Sequence, residues 1–222
     1  MGNVTFGIPR DLTLALARAQ NCTAFVETGT FRGETTRWAA DHFETVDTIE
    51  LSETLYERHH RDLEALGHVT THLGDSAAVL PKILERLASR RALLWLDGHW
   101  CFGETAGAGR ECVLLEELAT LADRPDDVVL IDDARLFLHA PPRPFVADQW
   151  PTIPELARLL TSPGCERFVQ VIHDVIIAVP AASPAREVLL EHALDVAGTR
   201  DLPSRTRRTL RTIRRLARRM LP

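Results

Sequence analysis

The sequence predicts an α/β fold in which a doubly wound, mostly parallel sheet forms a single domain, with an antiparallel hairpin strand near the C-terminal end. Three observations predict this fold. Apolar segments of strand length alternate with helical segments from residue 11 to residue 160, which is typical of a parallel sheet covered by helices. Segments 91–96 and 127–131 are almost continuously apolar, as strands buried on both faces are. Two later strand-like segments flank a turn at His173-Asp174.

The elements follow from hydrophobic periodicity and from turn residues. Helices are predicted over 11–19, 35–42, 53–66, 77–89, 111–121 and 155–160. The first carries its apolar positions at Leu12, Leu14, Leu16 and Ala19, and Gly67 ends the third. Strands are predicted over 23–27, 45–51, 69–73, 91–96, 127–131, 167–172 and 175–179. We assign residues 1–184 to the sheet domain and residues 185–222 to a helical, arginine-rich tail.

Composition is typical of a soluble globular protein, with 45% hydrophobic and 26% charged residues among 222. No apolar run approaches the roughly 20 residues needed to span a bilayer. Because the first ten residues lack a basic stretch followed by an apolar segment, we expect a cytoplasmic protein. The four cysteines show no Cys-x-x-Cys pair, which favours reduced thiols over disulfides or a zinc site.

The charge is distributed unevenly. Nine arginines and one acid lie between Arg200 and Pro222, so this segment carries +8 and the first 199 residues carry −13 of the total of −5. An acidic body repels nucleic acid, which we do not expect as a partner. Apolar residues at 210, 213, 216 and 220 make the tail a basic amphipathic helix. It either contacts an anionic membrane surface or acidic partner, or docks on the protein's own body or a second subunit.

The most informative segment is Phe25 to Thr36. An apolar strand runs into a turn with glycines four residues apart, Gly29 and Gly33, and then into a helix. Because glycine lacks a Cβ, such a turn lets backbone amides and a helix N-terminus approach a ligand. The alternative is a tight turn without a ligand.

Polar residues follow the ends of the predicted strands, where ligands bind in open α/β sheets. They are Glu27, Glu50, Asp75, Asp97 with His99, and Asp132 with Asp133. Glu50 lies 17 residues after Gly33, close to the offset of about 20 at which an acid meets ribose hydroxyls. Glu50 could instead be a solvated strand end, and Asp97, Asp132 and Asp133 could be helix N-caps. His99 could be a hydrogen-bonded loop residue.

These pieces resemble the class I S-adenosylmethionine-dependent methyltransferases, which have a Rossmann-like sheet, over residues 20–180. The matching pieces are Val26 to Gly33, Ile49-Glu50, Gly74-Asp75-Ser76, Trp95 to Gly98 and Leu130 to Asp133. The chain is most similar to the metal-dependent small-molecule O-methyltransferases, including those acting on macrolide sugars. The resemblance implies a cofactor-binding set of Glu27, Thr28, Gly29, Gly33, Glu50, Asp75 and Ser76. It also implies magnesium ligands at Asp97, Asp132 and Asp133.

The chemistry of these residues agrees with the resemblance. Three carboxylates suit a hard cation such as Mg²⁺, which can bind a substrate hydroxyl and lower its pKa. Asp97 and His99 are the catalytic candidates, with His99 as the base that takes the hydroxyl proton. The chain departs from enzymes with a lysine base, because Lys82 is its only lysine. It also has His99 where an acid is common in the sugar-modifying branch.

The predicted function is therefore transfer of a methyl group from S-adenosylmethionine to a hydroxyl of a small molecule, such as a sugar, glycoside or polyol. Three alternatives stay open: a non-catalytic nucleotide-binding or assembly protein of the same fold, a metal-dependent hydrolase using the acidic cluster, and metal-free methylation driven by proximity. Segment 100–109 is either a lid or a surface insertion, and the five prolines of 139–154 predict an ordered loop or lid. The oligomeric state is left open.

Overall fold

The computed structural model describes residues 7–101 and 105–196. Its strands are β1 (Ala24–Thr28), β2 (Thr45–Glu50), β3 (Val69–Leu73), β4 (Ala92–Leu96), β5 (Val128–Ile131), β6 (Arg167–Ile172) and β7 (Val175–Pro180). Its α-helices are α1 (Arg10–Gln20), α2 (Glu34–Ala40), α3 (Glu53–Glu64), α4 (Ser76–Leu87), α5 (Leu114–Ala119), α6 (Arg135–Leu138), α7 (Ile153–Leu160) and α8 (Pro184–Val196). None of these helices is long and apolar enough to cross a bilayer.

The seven strands form one sheet in the order β3-β2-β1-β4-β5-β7-β6. The five strands β1 to β5 are parallel, whereas β7 pairs antiparallel with both β5 and β6. The predicted fold class is therefore confirmed, including the antiparallel strand near the C-terminal end. In this order the first crossovers run to one side of β1 and the later ones to the other, so the carboxyl ends of β1 and β4 lie side by side.

Continuously apolar strands make the centre of the sheet. In β4, Leu93 and Trp95 belong to one hydrophobic cluster, and Leu94 and Leu96 belong to the cluster on the opposite face. This division follows from the alternation of side chains along a strand. Helices α1, α2 and α8 cover the first face, and α4, α5 and α7 cover the second. Burial on both faces explains why this strand shows no polar alternation.

The structure adds elements that the sequence analysis did not assign. The four-residue helix α6 follows β5 directly, and a 3₁₀ turn spans Ala147–Gln149. Helix α5 begins at Leu114 instead of residue 111, because the Glu111 side chain contacts the proline-rich segment. Helix α8 covers the first part of the predicted tail, and its Ala185 and Leu189 are buried in the core with α1. The predicted amphipathic helix at 210–220 lies outside the described residues.

Candidate active site

A cavity of about 490 Å³ lies at the carboxyl ends of β1 to β4. Six of the predicted site residues line it: Gly29, Glu50, Asp75, Ser76, Asp97 and His99. Side chains from the predicted lid segment and from the β1–α2 turn complete its described lining, among them Phe31, Arg32, Leu51, Cys101 and Arg110. The structure therefore brings the acidic ends of neighbouring strands around one space, as the sequence predicts. The other predicted residues, Glu27, Thr28, Gly33, Asp132 and Asp133, are not among the described residues that line it.

Glu50 is held rigidly at the end of β2. One carboxylate oxygen accepts a hydrogen bond of 2.8 Å from the backbone N–H of Phe31, and the other accepts one of 2.8 Å from that of Ser52. The side chain is buried, yet it lines the cavity. Because a carboxylate has about four acceptor positions, both oxygens retain capacity for hydroxyl groups of a ligand.

The two glycines of the β1–α2 turn have different roles. Gly29 has a φ of +86°, and a Cβ there would lie 2.3 Å from the backbone oxygen of Asp97. The turn can therefore pack directly on the end of β4 only with glycine at this position. Gly33, with a φ of +71°, begins α2, and a Cβ there would meet the side chain of Leu63 at 2.9 Å. Its position explains helix packing and does not bring it to the cavity.

Glu27 lies in β1, just before this turn, and is hydrogen-bonded to α2 and β2. It is buried within β1, and its Oε2 accepts hydrogen bonds from the hydroxyls of Thr36 at 2.5 Å and Thr48 at 2.7 Å. Burial raises the pKa of Glu27 from 4.5 to about 7, although both hydroxyls oppose the shift. These contacts join β1 to β2 and α2. The observed role of Glu27 is to fix the strand and helix that surround the turn.

Asp75 and Arg110 close the cavity beyond β3. Asp75 caps α4 through a hydrogen bond of 2.9 Å from the N–H of Ala77 to its Oδ1, and its Oδ2 pairs with Arg110. Arg110 also pairs with Glu116 at 2.8 Å. The sequence analysis did not assign this N-cap role to Asp75. The sequence analysis did not identify Arg110, because no periodicity or motif marks a single arginine in a glycine-rich segment.

Asp97, His99 and Asp133 form the other end of the site. His99 is buried and donates a hydrogen bond of 3.0 Å from Nε2 to Oδ2 of Asp133. Its other ring nitrogen, Nδ1, lies 3.8 Å from Oδ1 of Asp97. The edge of the Trp150 ring system packs against the imidazole with ring centres 5.3 Å apart. The histidine ring therefore links the cavity-lining Asp97 to Asp133 behind it.

The members of this group shift one another's pKa values. Burial alone would lower the pKa of His99, but its hydrogen bonds to Asp133 and Cys101 and the charge of Asp97 raise it well above its usual range. Burial raises the pKa of Asp97 well above its usual range, with Asp132 and Asp133 adding to the rise. These contacts favour the protonated form of His99, whereas the sequence predicts a neutral base. Asp97 is a stronger proton acceptor than an ordinary aspartate.

Two of the predicted magnesium ligands, Asp132 and Asp133, already accept hydrogen bonds from neighbouring groups. Asp133 pairs through Oδ2 with His99 and through Oδ1 with Arg135 at 2.7 Å, so two cationic side chains occupy its carboxylate. Oδ1 of Asp132 accepts the N–H of Asp133 at 2.8 Å. Among the described residues, the ligand atoms that lie within 4.8 Å of one another are those of His99, Cys101 and Asp133. In this arrangement the three aspartates do not fit a Mg²⁺ site made of carboxylates.

Two buried glutamates support the site from α5 and from the segment before it. Glu117 is buried beneath Gly98, with the hydroxyls of Thr28 and Ser76 near its carboxylate and no hydrogen-bond partner at Oε1. Burial raises its pKa. Glu111 accepts a hydrogen bond of 2.7 Å from Nε1 of Trp150. Sequence reasoning missed both residues, since a glutamate in a helical segment is usually exposed and no local pattern marks a buried one.

Comparison with solved structures identifies the fold. A putative caffeoyl-CoA O-methyltransferase from Staphylococcus aureus matches with a TM-score of 0.53 and 15% identity, over 80% of this chain and 86% of that one. The chain therefore shares the fold of that protein. The O-methyltransferase TomG from Streptomyces achromogenes, solved with S-adenosylmethionine, is 18% identical over 80% of this chain and 82% of its own, with a TM-score of 0.49. Neither a protein-family model nor a curated protein matches the chain.

Proposed function

We propose that this protein is an S-adenosylmethionine-dependent methyltransferase acting on a hydroxyl group of a small molecule. One observation carries the proposal: a single cavity joins the buried carboxylate of Glu50 at one end to Asp97 and His99 at the other. Its volume of about 490 Å³ is within the range of small-ligand sites, which is roughly 300–1,000 Å³. The methyltransferase fold supports the same proposal.

The cofactor would lie along the strand ends. Both oxygens of Glu50 can accept ribose hydroxyls, while Ile49 and Leu51 offer apolar surface beside them. Asp75 and Ser76 line the cavity where the base would lie. Gly29 lines the cavity, so the methionine part would lie beside the backbone of this turn.

Methyl transfer breaks the bond between the methyl carbon and the sulfonium sulfur, forms a bond from that carbon to the acceptor oxygen, and releases the hydroxyl proton. Most of the catalytic effect would come from alignment of the two reactants. The ionised form of Asp97 can accept the proton of a hydroxyl placed against it, and the burial that raises its pKa makes this form the stronger acceptor. The adjacent charged His99 stabilises the negative charge at this end of the cavity.

The chemistry of the lining supports a small, uncharged acceptor. Glu50, Asp75 and Asp97 are balanced around the cavity by Arg32, Arg110 and the imidazole of His99. A lining with no excess of positive charge does not attract a polyanion such as nucleic acid, and it suits an uncharged acceptor. Carboxylate and imidazole groups beside an apolar wall suit a molecule with several hydroxyls, such as a sugar, a glycoside or another polyol.

The sequence predicts assistance by a divalent cation, but the proposed proton transfer to Asp97 does not require one. Because His99 and Arg135 already neutralise Asp133, we expect Mg²⁺ to bind only weakly, with a dissociation constant of about 1 mM or higher. Isothermal titration of Mg²⁺ into the full chain saturated with S-adenosylhomocysteine measures this directly. Micromolar binding would restore the metal-assisted mechanism.

Titration of the full chain with S-adenosylhomocysteine tests the proposed function. We expect saturable binding at one site, and Glu50→Gln should weaken it about tenfold to a hundredfold, because a hydrogen bond to a charged group is lost. Glu53→Gln is the matched control, since Glu53 is an exposed acid at the start of α3 and should leave the affinity unchanged. Absence of heat at high ligand concentration, or equal affinities of the wild type and Glu50→Gln, would count against the proposal.

A further inference from the structure

We propose that Asp174, in the turn between β6 and β7, is a positioning residue that holds His99 in place through Arg135 and Asp133. The inference deepens the proposed function, because it takes the Asp97–His99 end of the cavity as the reacting end. Neither Asp174 nor Arg135 lines the described part of the cavity, so the effect must pass through the contacts between them and the histidine.

First, the β6–β7 turn is hydrogen-bonded to the start of α6. The carboxylate of Asp174 accepts a hydrogen bond of 2.8 Å from the backbone N–H of Arg135 and pairs with the guanidinium of the same residue. The backbone oxygen of Asp174 accepts a further bond of 2.8 Å from the N–H of Ala134. The Asp174 side chain is only 8% exposed, whereas that of Arg135 is 44% exposed, so the carboxylate is the fixed partner of this pair.

The second step is the sharing of one guanidinium by two aspartates. The same Nη1 of Arg135 that pairs with Asp174 lies 2.7 Å from Oδ1 of Asp133. Asp133 has a φ of +55°, and Asp174 has a φ of +65°, both in the left-handed region. This conformation is strained for residues other than glycine and persists where surrounding contacts enforce it. The shared guanidinium and the backbone bonds are such contacts.

The third step orients the histidine. With Oδ1 turned to Arg135, Asp133 presents Oδ2 to Nε2 of His99 at 3.0 Å. The ring is then fixed with Nδ1 towards Asp97, at the cavity. A guanidinium released from Asp174 can form a two-pronged pair with both oxygens of Asp133, because arginine and carboxylate geometries match. Arg135 would then compete with His99 for the same oxygen.

The test follows the His99 ring in the full chain by ¹H–¹⁵N NMR of histidine side chains, with His99→Gln used for assignment. In the wild type we expect a downfield Nε2–H signal that exchanges slowly with water. Asp174→Asn keeps an oxygen for the Arg135 N–H and removes the charge, so the exchange rate should rise about tenfold or more. Asp174→Glu retains the charge and should restore part of the protection.

The control is Asp126→Asn, which makes the same substitution in a longer and more exposed pair, with Arg91 at 3.9 Å, beside the amino-terminal ends of β4 and β5. It should leave the His99 signal unchanged. If Asp174→Asn does not fold, Arg135→Lys serves instead, since lysine lacks the planar fork and should also loosen the ring.

The proposal is overturned if a folded Asp174→Asn protein melts at a lower temperature but retains the wild-type His99 signal, because Asp174 would then stabilise only the hairpin. Binding of S-adenosylhomocysteine is measured on the same samples. Loss of the His99 signal in a variant that binds this ligand as the wild type does supports the inference. Failure of the wild type to bind it contradicts the proposed function and leaves the positioning result readable from the NMR signal.

Discussion

At the level of single residues, Glu27 and Glu50 have different positions relative to the cavity, although the sequence analysis assigns both to one cofactor-binding set. Glu50 receives two backbone N–H groups and lines the cavity, whereas Glu27 receives two threonine hydroxyls and lies behind it. The sequence predicts that both residues lie at the same edge of the sheet, where β1 and β2 end. It does not predict which carboxylate faces the ligand, because that depends on hydroxyl partners from α2 and β2.

The raised pKa of Glu27 predicts a pH-dependent contribution to stability. Below pH 4.5 the carboxyl is protonated in both the folded and the unfolded chain, so its ionisation does not change the free energy of unfolding. Between about 4.5 and about 7 the unfolded chain loses the proton first, so stability falls as pH rises, and the full loss is present above about 7. This shift corresponds to a loss on the order of 3 kcal/mol.

Urea unfolding at pH 5 and pH 8 measures this contribution. The free energy of unfolding of Glu27→Gln relative to that of the wild type should be higher at pH 8 than at pH 5. The wild type loses stability as Glu27 ionises, whereas the amide carries no charge at either pH. Glu34→Gln, at the exposed start of α2, is the control and should show no such change. Parallel pH curves for Glu27→Gln and the wild type would mean that burial does not raise the pKa of Glu27.

At the element scale, the contact between the β1–α2 turn and the end of β4 gives the cavity its shape. Gly29→Ala would place a Cβ 2.3 Å from the Asp97 backbone oxygen and force the two elements apart. Gly67→Ala is a matched control, because Gly67 has a similar φ of +82° with nothing within 4 Å of the added Cβ.

We expect Gly67→Ala to lower the free energy of unfolding by about 1 kcal/mol, from the left-handed backbone alone. Gly29→Ala should lower it by roughly 2 kcal/mol more, because the clash adds strain that the rigid strand end cannot relieve. Urea unfolding gives both values. Equal losses would show that the turn does not need glycine for close approach to β4.

The sequence predicts elements better than it predicts contacts between them. Strands β3 and β6 were predicted with the bounds that the structure shows, because their apolar segments are bounded by clear turn residues. Helix α6 was missed because four residues are too few for a helical period to show. The contact between His99 and Asp133 could not be predicted, since its geometry depends on the left-handed backbone of Asp133.

At the scale of the whole molecule, strand order determines which residues can meet. Placing β4 beside β1 brings Asp97 next to Gly29, although 68 positions separate them in the chain, and β2 brings Glu50 to the other side of the same turn. The antiparallel β7 places the β6–β7 turn against the start of α6, which gives Asp174 its contact with Arg135. A parallel sheet of this order therefore concentrates polar residues from distant segments at one edge.

The central claim is that this edge receives the adenosyl group, and a crystal structure of the full chain with S-adenosylhomocysteine tests it most directly. We expect the ribose hydroxyls within hydrogen-bond distance of the Glu50 carboxylate, and the sulfur between Gly29 and Asp97 with its open side towards His99. Density for the ligand outside the cavity, or a ribose with no contact to Glu50, would contradict the account.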